Sequence, residues 1–171
     1  MSDKRFVNWE EYYQLCEALA CQIAASDWRF NHIVGIARGG LRAADVLSRV
    51  FKIPLAILVT SSYREDAGTA QGELQIATSL SMVAETLRGP VLLVDDLVDS
   101  GITLQATVPE LLKRYPDITT CRTAVLWQKA QSVFAPDYCV QRLPDNPWIV
   151  QPFEHYDQLN IAQLQSDANL S

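Results

Sequence analysis

The chain has 171 residues, enough to bury one full core. Hydrophobic residues make up 49% and charged residues 20%, the balance of a globular protein. The net charge of -6 provides no basic stripe to displace phosphate counterions, so nucleic-acid binding is not favoured.

No apolar run approaches the roughly 20 residues of a membrane span, and Met1-Ser2-Asp3-Lys4-Arg5 leads into no segment of signal length. None of Cys16, Cys21, Cys121 and Cys139 forms a Cys-x-x-Cys pair, and His32 and His155 are isolated. Zinc is not expected. Reduced, mostly buried thiols in a cytoplasmic protein are.

In chain order, Asn8 is an N-cap with Glu11 as its capping-box partner. Tyr12, Leu15, Cys16, Leu19, Ala20 and Ile23 repeat at helical spacing and predict a helix to about Ser26. His32 to Ala37 reads as a strand, followed by the turn Arg38-Gly39-Gly40. Leu41 to Phe51 reads as a helix with Val46, Leu47 and Val50 as its apolar face, and Pro54 to Val59 as the next strand. Thr60 to about Gln75, with Ser61, Ser62, Gly68, Thr69 and Gly72, reads as a long loop, a kind that is usually functional or disordered. Leu74 to Leu87 fits strand or helix and is ended by Gly89-Pro90.

Val91 to Val94 is a buried strand, and Ile102 to Tyr115 is a helix in which Pro109 predicts a kink or a late start. Thr120 to Trp127 is another strand, and the proline-rich remainder reads as short strands and loops. Strands alternating with helices imply an α/β fold with a mainly parallel sheet and right-handed crossovers. No linker divides the chain, so residues 1–171 are expected to form one domain, with about 155–171 as a frayed tail. In that tail Ile161, Leu164 and Leu170 could instead pack on a partner subunit.

The chemistry concentrates in Val91-Leu92-Leu93-Val94-Asp95-Asp96-Leu97-Val98-Asp99-Ser100-Gly101-Ile102-Thr103. Its acids fall at the carboxyl end of a strand buried on both faces, where open α/β sheets bind ligands. The Ser-Gly-x-Thr turn opens a helix with backbone N–H groups and hydroxyls, an anion cradle. Carboxylates beside a phosphate cradle suit a sugar phosphate. In Arg38-Gly39-Gly40 the glycines allow close backbone approach, and Arg38 adds a donor fork suited to phosphate.

The acidic segment resembles the signature of the type I phosphoribosyltransferases, which bind phosphoribosyl pyrophosphate (PRPP). Lys129 at a strand end, the run Trp148-Ile149-Val150-Gln151-Pro152-Phe153-Glu154, the opening Phe6-Val7-Asn8-Trp9 and Ser61-Ser62-Tyr63 look like the bacterial xanthine-guanine (hypoxanthine) branch of that family. The likeness covers most of residues 4–154. It implies the type I phosphoribosyltransferase fold with a small C-terminal hood and base-recognition region.

The resemblance also implies roles. Asp95 and Asp96 would take the ribose hydroxyls and Mg²⁺, directly or through water. Asp99 would manage the purine N7 proton. Asp99, Ser100, Gly101, Ile102 and Thr103 would hold the 5-phosphate, and Arg38 and Gly39 the pyrophosphate. Ser62 and Tyr63 would begin a mobile hood that excludes water. Lys129 would donate to the 6-oxo group of a purine, Trp148 would stack on the base, and Ile149 would meet its 2-position through the backbone, with Glu154 nearby. Without the motif, Lys129 reads as a solvated lysine and Trp148 as a core aromatic.

The implied activity is purine salvage: transfer of ribose 5-phosphate from PRPP to a 6-oxopurine in a homodimer or homotetramer. Two alternatives stand: a phosphoribosyltransferase for another base, or a PRPP- or nucleotide-binding regulator without catalysis. The second of these draws on a departure from the family pattern, a hood with no cation between Arg64 and Arg88. Ser100 in place of the commoner Thr, a helix after Thr103 longer by a few residues, and the unmatched tail are further departures.

Overall fold

A computed structural model describes residues 4–64 and 71–167. In chain order the elements are β1 (Lys4–Phe6), α1 (Trp9–Ala25), β2 (His32–Ala37), α2 (Leu41–Phe51), β3 (Leu55–Arg64), β4 (Gln71–Ile76), β5 (Gly89–Val94), β6 (Leu97–Val98), α3 (Ile102–Arg114), β7 (Ile118–Lys129), β8 (Tyr138–Leu143), β9 (Trp148–Val150), a 3-10 turn (Glu154–Asp157) and α4 (Ile161–Asp167). The main sheet has the order β4-β3-β2-β5-β7-β6, with β8 also on β7. Every pairing in it is parallel except β3 with β4. This is the mainly parallel α/β sheet expected from alternating strands and helices.

Period-two alternation divides the core between the faces of the sheet. Ile33, Leu92 and Val94 pack with Leu15, Leu19 and Ile23 of α1 and Ala43, Ala44 and Leu47 of α2. Val34, Ile36, Val91 and Leu93 pack with Leu104 and Leu111 of α3 on the opposite face. Strands covered on both sides need apolar residues at successive positions, which is why Val91 to Val94 carries no polar residue.

Helix α1 begins as predicted: Asn8 Oδ1 accepts from Glu11 N at 2.9 Å, and the six periodic residues are buried. The capping box does not close, because the Glu11 carboxylate accepts from Arg5 at 3.0 Å instead. The buried face of α2 is Ala43, Ala44 and Leu47 rather than Val46, Leu47 and Val50, and Val50 is 57% exposed. Close packing on β2 explains the difference. A Cβ at Gly35 would lie 2.7 Å from the Ala44 Cβ, so this crossing admits only small residues.

The segment expected to be a long loop is partly a pair of antiparallel strands. β3 runs on to Arg64, and Ser61 and Ser62 pair with Gln75 and Leu74. The turn between the strands, with Gly68 and Thr69, lies outside the described residues. After β4 the chain to Leu87 is irregular, tied down by an isolated bridge between Ile57 and Ser81 and by buried Leu87. Gly89 and Pro90 open β5 rather than only ending the preceding stretch.

Helix α3 starts at Ile102 with Pro109 inside it, so there is no late start. β7 is longer than expected at both ends and finishes on Lys129. A separate parallel pair, β1 with β9, ties Lys4 to Trp148 and Arg5 to Ile149. No helix among the described residues is long and apolar enough to cross a membrane.

Candidate active site

At the carboxyl edge of the sheet the chain passes from β5 to β6 through Asp95 and Asp96 while staying bonded to β7. Asp95 N donates to Ala124 O at 3.1 Å, and Leu126 N donates to Asp96 O at 3.0 Å. β6 then resumes the register, with Val98 opposite Gln128. The next residue of each strand is a charged one, Asp99 and Lys129. Lys129 Nζ donates to Asp99 Oδ2 at 2.9 Å. The lysine side chain is 6% exposed and the aspartate 48%. Gln131 Nε2 donates to the other Asp99 oxygen. Lys129 Nζ also lies 6.0 Å from the centroid of the Trp148 ring, and Trp148 is 43% exposed. The lysine is therefore buried and the tryptophan open to the cleft, the reverse of what each residue type predicts without its motif.

Asp95 is buried and Asp96 half-buried. Burial and the neighbouring Asp96 push the Asp95 carboxyl well above the usual carboxylate range. Asp95 Oδ1 accepts from Asp96 N at 2.9 Å, and Asp96 Oδ1 accepts from Leu97 N at 2.8 Å. Gln151 Nε2 donates to Asp96 Oδ2. With its nitrogen held in this way, Gln151 Oε1 is buried with no hydrogen-bond partner among the described residues.

The Arg38-Gly39-Gly40 turn leans on these acids. A Cβ at Gly39 would meet Asp96 Oδ1 at 2.5 Å, and one at Gly40 would meet Val94 O at 2.5 Å. The glycines are required by this close approach. The Ala37–Arg38 peptide is cis. Arg38 is exposed, and its guanidinium lies 3.5 Å from Asp157 Oδ1.

Ser100, Gly101, Ile102 and Thr103 form the entry to α3. Gly101, at φ 89°, is the N-cap, and Ile102 N donates to Ser100 Oγ at 3.4 Å. A small cavity of about 90 Å³ is lined there by Asp95, Asp99, Ser100, Gly101 and Thr103, among others. It is a cradle the size of one compact anion.

A larger cleft of about 620 Å³ brings together Arg38, Gly39, Asp96, Asp99, Lys129, Trp148 and Ile149. It also contains residues to which sequence reasoning assigned no role: Arg42, Gln151, Tyr156 and Asp157. Gln151 had a signal in the Trp-Ile-x-Gln-Pro run. Tyr156 and Asp157 had none, since they belong to the stretch read as a frayed tail. In the structure Tyr156 and Asp157 belong to the 3-10 turn Glu154–Asp157 and line the cleft. Ser62 and Tyr63 belong to the far half of β3, with the register shift of the β3–β4 pairing falling between Ser62 and Arg64.

Comparison with known proteins gives the same answer as the edge chemistry. The profile of the phosphoribosyl transferase domain matches residues 4–158. The chain belongs to the phosphoribosyltransferase family. A purine phosphoribosyltransferase from Pyrococcus horikoshii is 30% identical at a TM-score of 0.71, over 88% of this chain and 94% of that one. A xanthine-guanine-hypoxanthine phosphoribosyltransferase from Helicobacter pylori has a TM-score of 0.72 at 23% identity, over 97% of this chain and 99% of that one. A Neisseria gonorrhoeae protein, solved with bound ppGpp, has a TM-score of 0.71 at 24% identity, over 98% and 96%. The last two likenesses bear on the fold alone. As a phosphoribosyltransferase the protein is a transferase with the type I fold.

Proposed function

We propose that this phosphoribosyltransferase acts in purine salvage, moving the 5-phosphoribosyl group of PRPP to N9 of guanine, xanthine or hypoxanthine. The carrying observation is the buried Lys129 beside Asp99 and beneath Trp148. A 6-oxopurine presents an oxygen acceptor at C6 next to N7 on one edge. Lys129 is a donor only, and Asp99 is its neighbouring acceptor. The pair thus matches O6 and an N7 proton. The 6-amino group of adenine is itself a donor and would face the ammonium. The ring of Trp148 offers a flat stacking surface, and the backbone of Ile149 and the carboxylate of Glu154, which line the same cleft, would meet the 2-position.

In the reaction the C1–O bond to pyrophosphate breaks, the C1–N9 bond forms, and the base gives up one proton. Asp99 would receive that proton as positive charge moves onto the base, and the ribosyl centre would pass through a cation-like state. Ser100, Gly101, Ile102 and Thr103 hold the 5-phosphate at the start of α3, where N–H groups are free to donate. Gly39 lets the backbone approach the pyrophosphate beside Asp96, and Arg38 exchanges Asp157 for phosphate oxygens. The antiparallel arm carrying Ser62 and Tyr63 would cover the site against water.

The donor set fits a hard cation. Asp96 and Gln151 Oε1, which is buried and without a partner among the described residues, are oxygen ligands of the kind Mg²⁺ takes, and Asp95 is the adjoining carboxylate. When bound there, Mg²⁺ would screen the pyrophosphate charge. A homodimer or homotetramer in the cytoplasm completes the proposal.

The test is pyrophosphate release from PRPP and Mg²⁺ with guanine, xanthine, hypoxanthine, adenine and uracil in parallel. Release with the 6-oxopurines alone, reduced on the order of a hundredfold in Asp99→Asn, is expected. PRPP binding without release on any base would replace the enzyme reading with that of a regulator.

A further inference from the structure

We propose that Arg42 is a second cation for the pyrophosphate end of the substrate, supplying from α2 the charge that the hood lacks. This rests on the PRPP reading above. Residues 65–87 contain no lysine or arginine, while Glu65, Asp66, Glu73 and Glu85 add negative charge. A leaving pyrophosphate needs cations around it, and beyond Arg64 they must come from elsewhere in the fold.

Arg42 sits in the first turn of α2, and Arg38 lies in the turn that leads into that helix. Both line the 620 Å³ cleft with Gly39 and Asp96. The Arg42 guanidinium stacks 3.9 Å from the centroid of the Phe153 ring and lies 5.8 Å from that of Trp9. Stacking uses the face of the guanidinium and leaves its in-plane N–H donors available.

Arg5, Arg38, Arg49 and Arg114 each pair with an acid. Arg42, which is half-buried, has no carboxylate partner among the described residues. A guanidinium oriented by an aromatic ring, with its donors unspent and turned to a cleft, matches phosphate oxygens in a bidentate manner. Arg38 complements it, because its contact with Asp157 is long and solvent-exposed and so is readily exchanged.

The experiment is calorimetric titration of the full chain with PRPP and, separately, with inorganic pyrophosphate, each with Mg²⁺. Wild type is compared with Arg42→Met, which keeps an apolar side chain against Phe153, and with Arg42→Lys, which keeps the charge. Kd for both ligands is expected to rise roughly tenfold in Arg42→Met and to recover in large part in Arg42→Lys. The KM for the base should be unchanged. Equal PRPP affinity in wild type and Arg42→Met overturns the proposal and leaves Arg42 as a brace for Phe153. If Arg42→Met does not fold, Arg42→Gln takes its place under the same criterion. Wild type that binds PRPP but turns over no base sinks the transferase reading while leaving the Arg42 comparison readable. Wild type that binds neither ligand overturns both.

Discussion

Lys129 Nζ and Asp99 Oδ2 are 2.9 Å apart, at the ends of two strands whose register sets them side by side. The lysine is the buried member with Asp99 as its ion-pair partner, whereas the half-exposed Asp99 is also reached by water. Lys129→Met should therefore lower kcat/KM for 6-oxopurines by on the order of a hundredfold, about 2.7 kcal/mol, and cost little stability. Guanine turnover at the wild-type rate in the purified variant would reject the assigned role of Lys129.

Gly39 and Gly40 are adjacent and equally crowded, but by different atoms. A Cβ at Gly39 meets the Asp96 carboxylate, which can swing, whereas one at Gly40 meets the backbone at Val94, which cannot. Gly39→Ala should fold with a small loss of melting temperature and bind PRPP at least tenfold more weakly. Gly40→Ala should fail first in stability, by about 1–3 kcal/mol or more. Urea unfolding and PRPP titration of the two variants check the order of effects.

Gln151 joins the base-recognition strand to the signature acids through its contact with Asp96. Gln151→Leu removes that donor and leaves the Asp96 oxygen with one partner fewer. PRPP affinity and its Mg²⁺ dependence should both weaken, while base stacking on Trp148 is spared. Mg²⁺ titrations at fixed PRPP measure the effect, and an unchanged Mg²⁺ midpoint would count against the role of Gln151 at the cation site.

The thiols divide by burial. Burial pushes Cys16 and Cys121 up to about 12 and raises Cys139, whereas Cys21 is exposed. Cys21 should be alkylated first at pH 8, with the other three following only as the protein opens, and peptide mass spectrometry would establish the order. The raised thiols also couple folding to pH. An unfolded thiol ionises near pH 8.5 while the folded Cys16 stays protonated, so the unfolded state binds fewer protons there. Stability should fall as pH rises from about 8.5 to 12, by about 1.4 kcal/mol per unit for Cys16. The slope should be shallower in Cys16→Ala.

Local sequence determined the parts of this protein whose signal is a short repeat or a dense motif. The six buried residues of α1 follow a 3.6-residue period that survives any packing partner. The apolar run Val91 to Val94 reads as a strand covered on both faces, which puts the acids after it at the carboxyl edge of the sheet. Tertiary structure decided the rest. The inward face of α2 was set by Gly35 beneath Ala44, a contact between elements that no window of α2 contains. The antiparallel partnership of β3 and β4 satisfies backbone groups in a polar stretch whose side chains carry little β signal. Lys129 became a buried ion-paired lysine only because β6 and β7 align two residues 30 positions apart, and Gln151 reached Asp96 across 55. Such contacts depend on register and chain crossing, which side-chain periodicity does not encode.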